Sequence, residues 1–246
     1  MSPALIRLLQ LASPTLPVGA FSYSQGLEWA VEAGTVYDEA SALRWIGDQL
    51  EWNLGRYEAP LLAHMIDAWK VQLQCTPAPE ASAPGGAADT KVSGGDTAMR
   101  IDMHYLASRE GAELRAETLQ MGYSLRRLLS ELGDFPPAPL AALEAVEAPS
   151  YALAWSCAAA AWEVECHDAL AAWLWSWAEN QVMAALKAVP LGQAAGQRIL
   201  QALGGRIPAI VERARALPQD AFSNFAPAFA IACARHETQY SRLFRS

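Results

Sequence analysis

The chain is 246 residues long, 52% of them hydrophobic and only 18% charged, and its net charge is -8 at pH 7. Nucleic acid and anionic membrane would both repel this charge, so neither is expected as a partner. The apolar content and the nine tryptophans instead favour surface that other proteins cover. The four cysteines show no CxxC spacing and no disulfide framework, which indicates reduced thiols in a cytoplasmic protein.

Near the start of the chain, a non-helical entry is predicted to lead into a helix. Pro14, Pro17 and Gly19 disfavour regular helix in the entry. Ser22 and Gln25 then show the S-x-x-Q spacing of a capping box. The sequence therefore predicts that a helix begins at Ser22.

Apolar residues recur at helical spacing along the rest of the chain, and no alternating run of β-branched residues indicates a strand. This pattern predicts an all-α protein, a single globular bundle of about ten helices in which residues 1–246 form one domain. The clearest apolar stripes are Leu43/Ile46/Leu50/Leu54, Leu62/Met65/Ile66/Trp69/Leu73 and Leu114/Met121/Leu125/Leu128/Leu132.

Residues 74–98 break this pattern. They include three prolines, two Gly-Gly pairs and no aromatic residue. Such a composition cannot bury enough apolar surface to fold. A flexible low-complexity loop is therefore predicted here, between helices of similar character.

No complete catalytic or cofactor motif occurs in the sequence. There is no G-x-x-x-x-G-K-[ST] phosphate loop, and the HETQY stretch at 236–240 lacks the second histidine of the zinc-protease motif. A protein that is not an enzyme is therefore expected, with no catalytic residue, no metal and no cofactor of its own.

A helical metal-binding enzyme is the alternative interpretation. Glu163, Cys166 and His167 lie close together in sequence, and His236 follows Cys233 by one helical turn. Each group supplies at most half of a ligand set. Buried thiols and partly buried imidazoles beside surface carboxylates are therefore the favoured interpretation, and the metalloenzyme stays open as the second one.

Four stretches of the sequence carry a family resemblance. Two long ones lie near the ends, LPVGAFSYSQGLE at 16–28 and RHETQYSRLFRS at 235–246. Two shorter ones lie between them, ELR leading to QMG at 113–122 and KAVPLGQ at 187–193. In this order, they make the sequence resemble the UreF family of urease accessory proteins. The likeness spans the chain, and residues 74–98 are its main departure.

The resemblance implies an all-α accessory protein that is not itself a urease. Members of this family assemble with UreD, called UreH in some systems, and with the GTPase UreG on the urease apoprotein. The implied role is a scaffold and checkpoint for GTP-dependent nickel insertion into the urease active site. A homodimer within that accessory complex is also implied.

The terminal stretch is the main candidate for partner binding. Apolar residues from Phe229 to Phe244 recur at helical spacing, which predicts one amphipathic helix that continues to the last residues. Chain ends are disordered unless something holds them, so a partner is expected to order residues 240–246. The candidate partner-binding residues are Lys187, Glu28, Tyr240, Arg242, Leu243, Phe244, Arg245 and Ser246.

Overall fold

The computed structural model describes residues 2–75 and 94–246, and every regular element in these ranges is helical, which confirms the all-α prediction. Two 3₁₀ turns, Ala20–Ser22 and Gln219–Ala221, and one π-helical segment, Gln49–Glu58, accompany the α-helices. The α-helices are α1 Pro3–Leu11, α2 Leu27–Glu32, α3 Glu39–Asp48, α4 Ala59–Cys75, α5 Gly94–Ala107, α6 Ala112–Glu131, α7 Pro137–Glu144, α8 Tyr151–Ala161, α9 Cys166–Ala188, α10 Gln193–Gly204, α11 Ile207–Ala216 and α12 Pro227–His236.

Most of the predicted loop at 74–98 cannot be compared with the structure. Residues 76–93 lie outside the described residues. The two ends of the predicted stretch are helical, since α4 runs to Cys75 and α5 begins at Gly94.

One hydrophobic core extends from Leu11 in α1 to Phe244 near the other end of the chain. Helix α8 is apolar on all sides and almost entirely buried, as expected for a helix that is enclosed by others. Helix α9 contacts α1, α2, α3, α4, α10 and α11. Its 23 residues reach from the core to the region where both ends of the chain meet.

The prediction that Ser22 begins a helix is wrong. Ser22 ends a 3₁₀ turn, and α2 begins only at Leu27. Gln25 and Gly26 have φ angles of 51° and 76°, in the left-handed region that an α-helix excludes. A Cβ at position 26 would lie 3.0 Å from the backbone nitrogen of Cys233, so the close approach of α12 to α2 requires a glycine here.

Candidate functional site

The C-terminal segment, defined here as residues 237–246, leaves α12 and lies along the sequence motif at 16–28. The carbonyl oxygen of Ser246 accepts hydrogen bonds from the backbone nitrogens of Ser24 and Gln25, at 2.5 and 3.0 Å, and from Ser24 Oγ at 2.6 Å. The backbone nitrogen of Arg245 donates to the carbonyl oxygen of Ser22 at 2.8 Å. The two motifs that are most distant in sequence are thus joined by backbone hydrogen bonds.

The prediction of one amphipathic helix that continues through Phe244 is therefore wrong, because α12 ends at His236. The spacing of Tyr240, Leu243 and Phe244 is compatible with a helix, but their backbone follows another path. The amides of Leu243 and Phe244 donate to a side chain of α2 instead of to carbonyls of the preceding helical turn. The Glu28 carboxylate thus takes the place of the carbonyl oxygens that would accept from these amides in a further helical turn.

Glu28 is the acceptor that fixes the middle of the segment. Its Oε1 accepts from the backbone nitrogen of Leu243 at 2.6 Å, and its Oε2 accepts from that of Phe244 at 3.0 Å. The Nε2 atom of His236 lies 3.2 Å from the same Oε2. The Glu28 side chain is buried, and a buried carboxylate is tolerated when hydrogen bonds compensate for lost hydration.

His236 connects Glu28 with a second carboxylate, on α6. Its ring is fully buried, and Nδ1 lies 2.7 Å from Glu113 Oε2. The other oxygen of Glu113 accepts from Nη1 of Arg242, in the C-terminal segment. The imidazole thus lies between two helices, and both of its carboxylate partners also hold the segment.

Glu117, one turn after Glu113, holds the end of the segment. Its Oε2 accepts from Ser246 Oγ at 2.8 Å, and its Oε1 accepts from Gln25 Nε2 at 2.7 Å. Trp177 Nε1 donates to Gln25 Oε1 at 2.7 Å, so α9 also takes part in the network. Burial raises the pKa of Glu117 to about 7.

Lys187 is the member of the site that the motif at 187–193 contributes. It lies in the last turn of α9, where the helix dipole favours a cation. Its Nζ lies 5.5 Å from the ring centroid of Phe244, within the range of a cation–π interaction. Phe244 itself is only 7% exposed, so the ring supports the exposed lysine from below.

The outer face, defined here as Lys187, Tyr240, Arg242, Leu243 and Arg245, consists of the predicted site residues that are exposed; the exposed Arg242 is also paired with Glu113. Tyr240 is fully exposed, and Leu243 is 72% exposed. Three of the five residues are cationic, on a protein whose net charge is -8. This arrangement can bind an acidic surface with some apolar character, since arginine makes bidentate contacts with carboxylates.

A cavity of about 110 Å³ lies beneath the motif at 16–28. Its walls are largely apolar and include Phe21 and Trp173. Its polar lining includes Glu117 and the buried ion pair between Arg109 and Glu58, at 2.8 Å. Glu117 thus both lines the cavity and accepts a hydrogen bond from the docked segment.

The residues of the alternative metal-binding interpretation do not form a ligand set. His167 Nδ1 lies 3.2 Å from Asp168, and its Nε2 lies 3.4 Å from Glu212. Burial raises the pKa of the Cys166 thiol, which disfavours the thiolate that binds metals. Within residues 2–75 and 94–246, no group of three or more His, Cys, Asp or Glu side chains is arranged to hold a metal ion.

Comparison with known proteins identifies the family. The UreF family model matches residues 36–204. The urease accessory protein UreF of Azoarcus sp. (strain BH72) is 57% identical over 244 residues, which cover 98% of this chain and 95% of that protein. The chain belongs to the UreF family. As a UreF-family member it is a urease accessory protein, as the resemblance implied.

Two further relatives agree with this assignment. The urease accessory protein UreF of Dechloromonas aromatica (strain RCB) is 56% identical, over 98% of this chain and 97% of its own length. A bifunctional urease accessory protein UreEF of Bordetella bronchiseptica is 45% identical over 98% of this UreF-family chain, which matches 52% of that longer protein. In the part of the chain that the structure describes, no helix is long and apolar enough to cross a membrane.

The family model includes Lys187 but neither of the end motifs. The structure brings Lys187, Glu28 and the C-terminal segment to one place. Glu113 and Glu117 were not among the predicted site residues. The sequence contains a pattern that could have indicated them, because two carboxylates four residues apart lie on the same face of a helix.

Proposed function

We propose that this UreF-family chain is a non-catalytic scaffold and checkpoint of urease maturation. It joins UreD (UreH) and the GTPase UreG on the urease apoprotein for GTP-dependent nickel insertion, and nickel is the cargo of the complex. We further propose that it works in the cytoplasm as a homodimer within that complex. The family assignment and the large apolar content support this role.

The observation that carries the proposal is the meeting of the four motifs in one site. Residues more than 200 positions apart, such as Glu28 and Leu243, are hydrogen-bonded. Their buried atoms hold a segment whose other side is the outer face. A site that presents exposed apolar and cationic side chains on an ordered backbone is suited to binding proteins, because little entropy is lost on docking.

The candidate residues take two different parts in this proposal. Glu28, Phe244 and Ser246 are buried, so they act on a partner by holding the segment in place. The five residues of the outer face would contact the partner directly. An acidic partner surface fits them best, since three are cationic and opposite charges accelerate association.

The proposal is tested by urease activation in a host whose own UreF gene is deleted. Tyr240→Ala, Leu243→Ala and Lys187→Ala are expected to lower activation and the co-purification of UreD or UreG. Each residue is exposed, so the fold should be unchanged. Tyr37→Ala, at an exposed tyrosine outside the outer face, is the matched control.

Normal activation and normal capture of both partners by the three outer-face variants would contradict the proposed surface. Loss of activation in Tyr37→Ala to the same degree would also contradict it, because the effect would not be specific to the outer face. Light scattering of the purified complex tests the homodimer.

A further inference from the structure

The cavity beneath the motif at 16–28 opens to solvent beside the outer face. Phe21 and Met183 are among its walls and are 61% and 39% exposed. Met183 lies one turn before Lys187 on the same side of α9. The volume of about 110 Å³ is several times the roughly 10–15 Å³ that one water molecule needs. A side chain of a protein bound to the outer face can therefore reach into the cavity.

Aromatic rings form part of the cavity wall. Trp173 and Trp177 line it from α9, and the ring of Tyr151 stacks on that of Trp173 with the centroids 5.0 Å apart. Aromatic faces attract cations, and tryptophan does so most strongly. A metal ion needs several oxygen, nitrogen or sulfur ligands at once, whereas these walls are largely apolar. The wall therefore favours an organic cation over a metal ion.

Glu179 is a half-buried carboxylate of the cavity wall that lies between Trp177 and Met183 on α9. Within residues 2–75 and 94–246, no hydrogen bond or ion pair holds its side chain. Burial alone raises the pKa of Glu179, since no neighbouring donor or charge offsets the lost hydration. A cation in the cavity would supply this missing compensation.

Glu117 lines the same cavity and is compensated only by neutral donors, the amide of Gln25 and the hydroxyl of Ser246. Arg109, the cation among the described residues of the lining, is already paired with Glu58 at 2.8 Å. The carboxylates of the lining thus outnumber its cations. Each carboxylate oxygen has two lone pairs, so Glu117 can accept from a further donor.

We infer that the cavity is the binding site for a lysine side chain of a partner protein, whose ammonium group pairs with Glu179 and Glu117 and whose alkyl stem packs against the aromatic wall. Lysine combines a compact ammonium group with a flexible apolar stem, and such stems pack well on apolar surface. A partner with this lysine beside an acidic surface would contact both the cavity and the cationic outer face.

The assignment of the lysine to a partner rests on the proposed function, because the cavity adjoins the outer face. The preference of the cavity for an alkylammonium group does not rest on it. The two parts are therefore tested separately, the first without any partner.

The first test titrates the purified full-length chain with n-butylammonium chloride at about pH 8, where the amine and both carboxylates are charged. The indole N–H signals of Trp173 and Trp177, assigned by substitution of each with phenylalanine, should shift and saturate. 1-Butanol, which has the same stem without the charge, is the matched probe. It should bind at least about fivefold more weakly.

Glu179→Gln removes the charge from the wall and keeps its shape. Affinity for n-butylammonium should fall about fivefold, while affinity for 1-butanol stays unchanged. The side chain has no hydrogen bond within the described chain to lose, so the fold should persist. Glu144→Gln, at an exposed glutamate of α7, is the control and should bind both probes normally. The comparison of the two probes on the unmodified protein needs no variant.

The second test uses the complex of the chain with a partner of the proposed function. Carbodiimide couples a carboxylate to an amine that it contacts, so mass spectrometry should find Glu179 or Glu117 linked to a partner lysine. Glu179→Gln should lower the affinity for that partner by about fivefold, whereas Glu144→Gln should not.

No saturable binding of n-butylammonium, equal affinity for 1-butanol, or equal n-butylammonium affinity in Glu179→Gln would overturn the cation site. Binding of n-butylammonium together with an unchanged partner affinity in Glu179→Gln would overturn the partner lysine and assign the cavity to a free alkylamine. If the unmodified chain captures no partner, the proposed function fails, but the probe titrations still decide whether the cavity binds an alkylammonium group.

Discussion

Helix α8 and the C-terminal segment are both packed against the rest of the protein, but different forces hold them. Helix α8 buries apolar side chains such as Leu153 and Trp155 on nearly all sides. The segment buries little more than Phe244 and Ser246, and its backbone is bound by Glu28 and Ser24. Apolar burial stabilises the fold in proportion to the buried area. A buried carboxylate stabilises the segment only while its hydrogen-bond donors stay in place, because an unpaired buried polar group is costly.

This difference means that the two regions should respond to different changes. Loss of volume in α8 should lower the stability of the whole protein, while loss of one charge at the segment should release it without unfolding the core. Substitutions at Trp155, Glu117, Glu28 and Phe244 test this separation.

Trp155→Ala should lower the free energy of unfolding by about 3–5 kcal/mol, because it leaves a cavity at a fully buried site. Denaturant titration measures this loss. Trp52→Ala, at a tryptophan that is half exposed, is the control and should change stability by less than about 1 kcal/mol. Equal losses in the two variants would contradict the assignment of α8 to the core.

Glu117→Gln should remove part of the pH dependence of stability. Because burial raises the pKa of Glu117 to about 7 from 4.5, the folded state binds this proton more tightly than the unfolded state. Stability should therefore fall as pH rises from about 4.5 to about 7, by up to about 3 kcal/mol. Denaturant titrations at both ends of this range measure the fall.

The slope over that range should be smaller in Glu117→Gln than in the unmodified protein. Glu144→Gln, at an exposed glutamate of α7, is the control and should leave the slope unchanged. An unchanged slope in Glu117→Gln would show that other groups cause the pH dependence.

Glu28→Gln should release the C-terminal segment at a local cost of about 1–3 kcal/mol, since the amide that replaces one carboxylate oxygen cannot accept from the donor that faces it. Trypsin cleavage after Arg242 and Arg245 should accelerate. Glu144→Gln again serves as the control, with no change in cleavage expected.

Cleavage of the segment should accelerate more than cleavage of the rest of the chain in Glu28→Gln. If the whole protein is instead digested faster to the same degree, the segment and the core unfold together, and the separation between the two regions does not hold.

Phe244→Leu should have the smallest effect. The leucine keeps most of the buried apolar contact but removes the ring below Lys187, with an expected loss of about 0.5–1 kcal/mol. A double-mutant cycle with Lys187→Met, read by exchange of the segment amides, isolates this interaction. Phe21→Leu, at an exposed phenylalanine, is the control, and zero coupling in the cycle would contradict a cation–π contact.

The sequence predicts the fold better than it predicts the site. Apolar periodicity is a local property, so helices such as α4 and α6 follow from spacing alone. The end of α12 at His236 does not, because Tyr240, Leu243 and Phe244 continue a helical spacing. Their path depends on an acceptor on α2, more than 200 residues away.

Ser22 and Gln25 illustrate the same limit. Their spacing matches a capping box, but the Gln25 side chain is bound by Trp177 and Glu117 from two other helices. These contacts form only after the chain has folded. The family resemblance, in contrast, points to both ends of the chain and to Lys187, because it does not depend on local propensity.

The most direct test of the central claim is capture of UreD and UreG by purified Glu28→Gln protein, whose outer-face residues are all unchanged. We expect capture of at least one partner to fall together with release of the segment, since a docked backbone is needed to present the outer face. Full capture of both partners by a protein whose segment is shown by trypsin to be released would contradict the claim.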